Sequence, residues 1–158
     1  MPVPTYPSRK TRAESFFGIH FDFHAGDDNF EIGKYTTPEM IETILTRVQP
    51  DFVQSDCKGH GGFSSYPTRI GNPAPGIVAD SLKVWREATA RFGVALYMHY
   101  SGVWDNQAVL HHPEWARIDE NGQPDPRLTS VYGPYADKLL IPQLLELAHQ
   151  YGVDGVWV

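Results

Sequence analysis

Phe16-Phe17-Gly18-Ile19-His20-Phe21-Asp22-Phe23-His24-Ala25-Gly26 alternates with a period of two. Gly18, His20, Asp22 and His24 share one parity, and Phe17, Ile19, Phe21 and Phe23 share the other. A strand sends successive side chains to opposite faces. The stretch therefore predicts a strand from about Phe16 to His24, with one apolar face and one face of two imidazoles and a carboxylate. Two settings suit such a strand. It is either half-buried with its polar face in water, or a barrel strand whose polar face lines an interior that ends in an active site. If fully extended, it would spread His20 to His24 over roughly 13 Å.

The segments that follow repeat one pattern. A loop, Ala25 to Tyr35, leads to Thr36-Thr37-Pro38-Glu39, a helix start with either threonine as cap and a T-x-x-E box from Thr36. Ile41, Ile44, Leu45 and Val48 form the helix's apolar stripe, and Pro50 stops it. Asp51 to Cys57 predicts a second strand, followed by a long loop from Lys58 to Val78 rich in Gly, Pro and Ser. Asp80 caps a second helix that ends at Gly93, and Val94 to Tyr100 predicts a third strand. Another long loop, Ser101 to Gly133, precedes a last helical region from about Tyr135 to Gln150. Pro142 inside that region predicts a kink or two short helices. Gly155 to Val158 predicts a fourth strand.

Strands alternating with helices predict parallel pairing through right-handed crossovers. An open doubly wound sheet would carry a Gly-rich phosphate turn after the first strand, but His24-Ala25-Gly26-Asp27-Asp28 is acidic there. The long loops all follow strands and the turns before strands are short, as in barrels whose sites lie at the C-terminal strand ends. The expected fold is α/β, a parallel (β/α) half-barrel comprising the first four strands of a TIM-type (β/α)8 barrel. Residues 1–15 would be an irregular lead-in, and residues 16–158 the N-terminal half of the catalytic domain, stopping after the fourth strand. A whole barrel typically needs about 250 residues.

Composition narrows the partners. The 158 residues carry a net charge of −6 and no Lys/Arg run, which argues against nucleic acid or an anionic membrane as the main partner. Cys57 is the single cysteine, so there is no internal disulfide and no thiolate zinc cluster. Met1 to Glu14 lacks an apolar signal-peptide region, so a cytoplasmic location is expected. Aromatic residues make up 13%, which suits a sugar cleft and an aromatic core equally well.

Three constellations sit at predicted strand ends. His20, Asp22 and His24 could hold a metal with help from other strands, bind a polyhydroxylated ligand, or form a buried polar network. Lys58-Gly59-His60-Gly61-Gly62-Phe63 either displays His60 at the mouth of a site or is a surface loop with an incidental histidine. In His99-Tyr100-Ser101-Gly102-Val103-Trp104-Asp105, an imidazole, a phenol and an indole suit sugar recognition, though Tyr100 or Trp104 could equally be core. No G-x-S-x-G, P-loop, C-x-x-C or H-E-x-x-H motif is present.

In order along the chain, FGI…H-x-G, K-x-H-x-G-F, x-Y-S-x-x-x-W-D and Q-L-x-E-L-x-x-x-Y-G-x-D-x-x-W resemble the catalytic barrel of α-L-fucosidase-like glycoside hydrolases, families 29 and 151. The H-F-D-F-H strand and the Y-P-T-x-x-G segment, Tyr66 to Gly71, resemble related hypothetical glycosyl hydrolases. The resemblance runs from Phe16 to Val158. It implies that His24 or His20, His60 and Tyr100 line a sugar pocket, with Trp104 and Trp157 beside them. It also implies retaining hydrolysis by a pair of carboxylates roughly 5 Å apart, with no cofactor and no metal. The family's nucleophilic aspartate follows W-x on the fourth strand, so it is expected immediately after Trp157-Val158, and the acid/base later still. On this reading the 158 residues alone are inactive. Two features depart from the family: Gly59-His60-Gly61-Gly62-Phe63 stands where fucosidases usually have His-His-Asp-Gly-Phe, and two extra residues separate Gly18 from His24. Two other readings fit the residues. One is a metal-dependent barrel hydrolase using His20, Asp22, His24 and His99. The other is a carbohydrate-binding half-barrel that self-associates through its exposed edge strands.

Overall fold

A computed structural model describes residues 8–158, so residues 1–7 of the expected lead-in lie outside the described part. Four parallel strands form the frame: β1 (Gly18–Phe21), β2 (Phe52–Lys58), β5 (Ala95–Tyr100) and β8 (Gly155–Trp157). They lie side by side in the order β1-β2-β5-β8, which is their order along the chain. Two short strands extend the far end of β2. β3 (Phe63–Ser64) returns antiparallel to Lys58, and β4 (Asn72–Pro73) pairs with β3.

The crossovers are helical. α1 (Pro38–Val48) is capped by Thr37, whose Oγ1 accepts from the Met40 amide at 3.2 Å. The capping box expected from Thr36 does not form, because Pro38 takes the first helical position and leaves its predecessor as the cap. α2 (Ser81–Arg91) is capped by Asp80, and Gly93 follows in the left-handed region at φ 65°. The last helix is one right-handed run, with α4 (Ile141–Glu146) flanked by π turns at Ala136–Leu140 and Leu147–Tyr151. Pro142 neither breaks nor divides it. The preceding turn shifts to i→i−5 bonding, with the Ile141 amide reaching Ala136, and this absorbs the missing proline donor. The long 101–133 segment, expected as loop, contains α3 (Asn106–His111) and a hairpin of β6 (Ala116–Ile118) and β7 (Pro124–Thr129).

Register assigns the sheet faces. Val53, Cys57, Leu96, Met98 and Tyr100 share one core with Ile41 and Leu45 of α1, Leu82, Trp85 and Ala88 of α2, and Leu147 and Tyr151 of the last helix. All three crossover helices thus cover the same face. The opposite face presents two rows, His20–Gln54–Tyr97–Gly155 and Asp56–His99–Trp157, each read across paired strands. Gly18 and Gly155 leave room on it for neighbouring rings. A Cβ at Gly18 would stand 2.1 Å from the Phe52 ring, and one at Gly155 2.8 Å from the Tyr97 ring.

β1 is shorter than the alternation predicts. It spans four residues, and the expected apolar face is only partly buried. Phe21 packs on Trp85 with ring centroids 5.2 Å apart, whereas Phe23 stacks on Phe21 yet stays 71% exposed. Below the sheet, the lead-in is tied down by side chains. Arg9 donates to Asp154 at 2.7 Å, and Asp51 accepts from Lys10 and from the Phe16 and Phe17 amides. Asp154 also accepts from Arg86 at 2.7 Å and from the Leu96 amide at 2.8 Å. Burial alone would raise the Asp154 pKa, but the Leu96 amide and the two guanidinium groups hold it below its usual range.

A buried polar clasp joins the 58–78 segment to the last helix. Gln143 accepts from the Tyr100 hydroxyl at 2.7 Å and donates to Ser64 Oγ at 2.7 Å. Glu146 accepts from Tyr66 Oη, Thr68 Oγ1 and the Arg69 amide. Gly71 is needed for the fit, since a Cβ there would stand 2.7 Å from the Gln143 amide nitrogen. The Y-P-T-x-x-G and Q-L-x-E-L motifs are therefore the two halves of one structural joint.

Candidate functional site

The C-terminal ends of the parallel strands gather His20, Asp22, His24, Asp56, His60, His99, Trp104 and Trp157 on the helix-free side. The chain leaves strand geometry after Phe21, so the extended spacing of His20 to His24 is not realised. Both imidazoles converge on Asp22 Oδ1, His24 Nε2 at 2.8 Å and His20 Nε2 at 4.0 Å. Their rings lie 5.6 and 5.7 Å from that of His99, the strand-end histidine of β5. Gly59 makes this turn possible, because a Cβ there would stand 2.7 Å from His24 Cβ.

Asp56 is the buried centre of the group, with only 5% of its surface exposed. Its Oδ1 lies 3.0 Å from His99 Nδ1 and 3.5 Å from His24 Nε2. Its Oδ2 is buried and has no hydrogen-bond partner among the described residues. Burial pushes the Asp56 pKa up to about 8; the Asp22 charge adds to the rise and Lys58 opposes it. Burial also lowers the His99 and His60 pKa values, with His24 adding to both and Asp22 opposing both. Burial thus favours the neutral forms of Asp56, His99 and His60, an arrangement that can both donate and accept hydrogen bonds.

Aromatic groups form the walls. His60 stacks on the Trp104 indole with centroids 4.3 Å apart and planes 11° from parallel, and its Nδ1 meets Ser101 Oγ at 2.5 Å. The Arg127 guanidinium lies over the same indole at 5.4 Å. Trp157 is 60% exposed and its ring centroid lies 5.2 Å from that of His99. Tyr100 is different. It is fully buried in the helix-side core, hydrogen-bonded to Gln143, and has no surface at the strand-end cluster. His99 and Tyr100 are consecutive in β5, so only one of them can face the site. The sugar-pocket expectation for Tyr100 is corrected on that ground.

Sequence alone places Asp22 in the metal and polar-network alternatives, gives Asp56 no role and does not reach Arg127. The parity of β2 already put Asp56 on one face with Gln54, but its pairing with His99 depends on register between strands. Arg127 is delivered by the unexpected hairpin, where Pro124 and Pro126 disguise the strand. Beneath Trp104 lies a second buried pair, Lys58 Nζ to Asp105 at 2.9 Å, with Asp105 also accepting from Tyr135 Oη at 3.0 Å and capping α3 through the Ala108 amide. It positions the third loop under the site.

No protein-family model and no curated protein matches the sequence. Solved structures do match its fold. α-L-fucosidase isoenzyme 2 from Paenibacillus thiaminolyticus aligns over 90% of this chain at TM-score 0.80 and 23% identity. The Thermotoga maritima α-fucosidase in complex with fucose aligns over 81% at TM-score 0.58 and 19% identity. The α-L-fucosidase from Vibrio sp. strain EJY3 aligns over 84% at TM-score 0.54 and 18% identity. The chain spans 23%, 29% and 22% of those three proteins, respectively. In fold, the chain is α-L-fucosidase-like.

Proposed function

We propose that the chain is the N-terminal half of a (β/α)8 glycoside hydrolase barrel. It supplies one wall of a sugar site in an α-L-fucosidase-like enzyme that hydrolyses O-glycosyl bonds with retention. The observation that carries this reading is the one-sided sheet. Strands in sequential order carry helices on one face and a histidine–tryptophan cluster on the other, at their C-terminal ends, as in a barrel enzyme. The fold likeness to α-L-fucosidases supports the same reading. His20, His24, His60, Trp104 and Trp157 are the sugar-binding residues; indole faces take the C–H side of the ring and imidazoles its hydroxyls. The reactive carboxylates come from sequence outside these 158 residues, and the open edges of β1 and β8 pair with the remaining strands or with a second copy.

Titration of L-fucose, with L-rhamnose and D-galactose as comparators, should quench fluorescence from Trp104 and Trp157. His60→Ala should weaken binding at least tenfold. If none of the three sugars perturbs either tryptophan, the sugar-site reading fails.

A further inference from the structure

We propose that Asp22, His24, Asp56 and His99 form a binding site for one divalent first-row transition-metal ion of the zinc class. The donor atoms are already arranged for it. Asp22 Oδ1, His24 Nε2, Asp56 Oδ1 and His99 Nδ1 make four contacts of 2.8, 3.0, 3.5 and 3.7 Å, and the group's ligand atoms all lie within 4.8 Å of one another. A tetrahedral ion with arms of about 2.0–2.1 Å sets its ligands about 3.3–3.4 Å apart. The observed contacts scatter around that edge length, so an ion needs only small side-chain shifts to enter.

Asp56 supplies an independent sign. Its side chain is almost wholly buried, yet Oδ2 has no partner among the described residues. A buried polar atom without a partner costs about 1–3 kcal/mol, and a cation taking the carboxylate in bidentate fashion would satisfy it. Ionising Asp56 beside the Asp22 carboxylate is unfavourable, and a divalent ion between them reverses that interaction. The ligand types select the ion. Two imidazoles with two carboxylates suit zinc, iron, cobalt or manganese, whereas calcium and magnesium favour all-oxygen shells. An approach path exists through Asp22, whose side chain is 58% exposed. The supporting shell is also built. Cys57 Sγ donates to the His99 carbonyl at 3.1 Å, and Ser65 Oγ to the Asp56 carbonyl at 2.8 Å.

This cation site stands without the sugar reading. If both hold, sugar hydroxyls complete the metal's coordination from the open side, with His20, His60, Trp104 and Trp157 around them. The test is metal analysis of the purified protein, followed by titration of zinc into chelator-stripped protein and by visible spectra with cobalt(II). About one equivalent of zinc should bind, and cobalt should give the intense bands of a four- or five-coordinate site. Asp22→Ala and His24→Ala, both at accessible positions, should each weaken zinc at least tenfold and erase the cobalt bands, while His112→Ala changes neither. Absence of stoichiometric zinc, or zinc binding that survives both site variants, overturns the proposal. A protein that binds zinc but perturbs no tryptophan with sugar keeps the cation site and loses the sugar site.

Discussion

Two polar clusters of similar size differ in how completely they satisfy themselves. In the clasp, Gln143 is fully buried and both ends of its amide are engaged, while one Glu146 carboxylate collects three donors. At the strand ends, two carboxylates and four imidazoles crowd together, Asp22 lies largely in water, and one buried oxygen is left over. A closed network of this kind adds rigidity and specifies a unique packing. An open one has capacity for something else. The contrast sets the structural polar cluster apart from the one proposed to bind ligand without reference to relatives.

Variants can break or sharpen that contrast. The largest effect should come from Lys58→Met. It strands Asp105 in the interior and should cost about 3–5 kcal/mol, the usual penalty for breaking a buried pair, read as a lower midpoint in urea. Gln143→Ala leaves the Tyr100 and Ser64 hydroxyls unpaired and opens a cavity. It should lower stability by about 3 kcal/mol while any surviving folded protein binds ligand normally. Gly59→Ala should be milder for the fold, about 1–2 kcal/mol from overpacking. It pushes His24 away, so zinc or sugar binding should fall more than stability does. Asp22→Ala should shift stability by no more than about 0.5 kcal/mol, yet abolish cation binding. If Asp22→Ala destabilises as much as Gln143→Ala, the distinction between the two clusters collapses.

The sequence was most informative where one residue fixes local geometry. Asp80 and Gly93 bound α2 as their types require, and period two separates the His20 parity from the Phe21 parity. The same rule, applied to His99-Tyr100, already forbids both from lining one pocket. What stayed hidden depended on contacts far apart in sequence. Asp56 gains meaning only when β5 brings His99 beside it, and His20 and His24 converge only because β1 ends at Phe21. The α3–hairpin segment was missed because its pieces are short. α3 has six residues, and β7 carries two prolines that a central strand would reject.

The Arg9–Asp154 contact also has a consequence in time. Its partners are 145 residues apart, so Arg9 is synthesised well before Asp154. Loop-closure entropy rises only slowly with length, by about 0.6 kcal/mol per doubling, but contacts this distant form late and slow folding. Asp154 stands at the start of β8, and the same carboxylate reaches the Leu96 amide and Arg86. Seating β8 and fastening the lead-in therefore become a single late event. Until it happens, β5 presents the sheet's open edge to other chains; once β8 is seated, that exposure passes to β8.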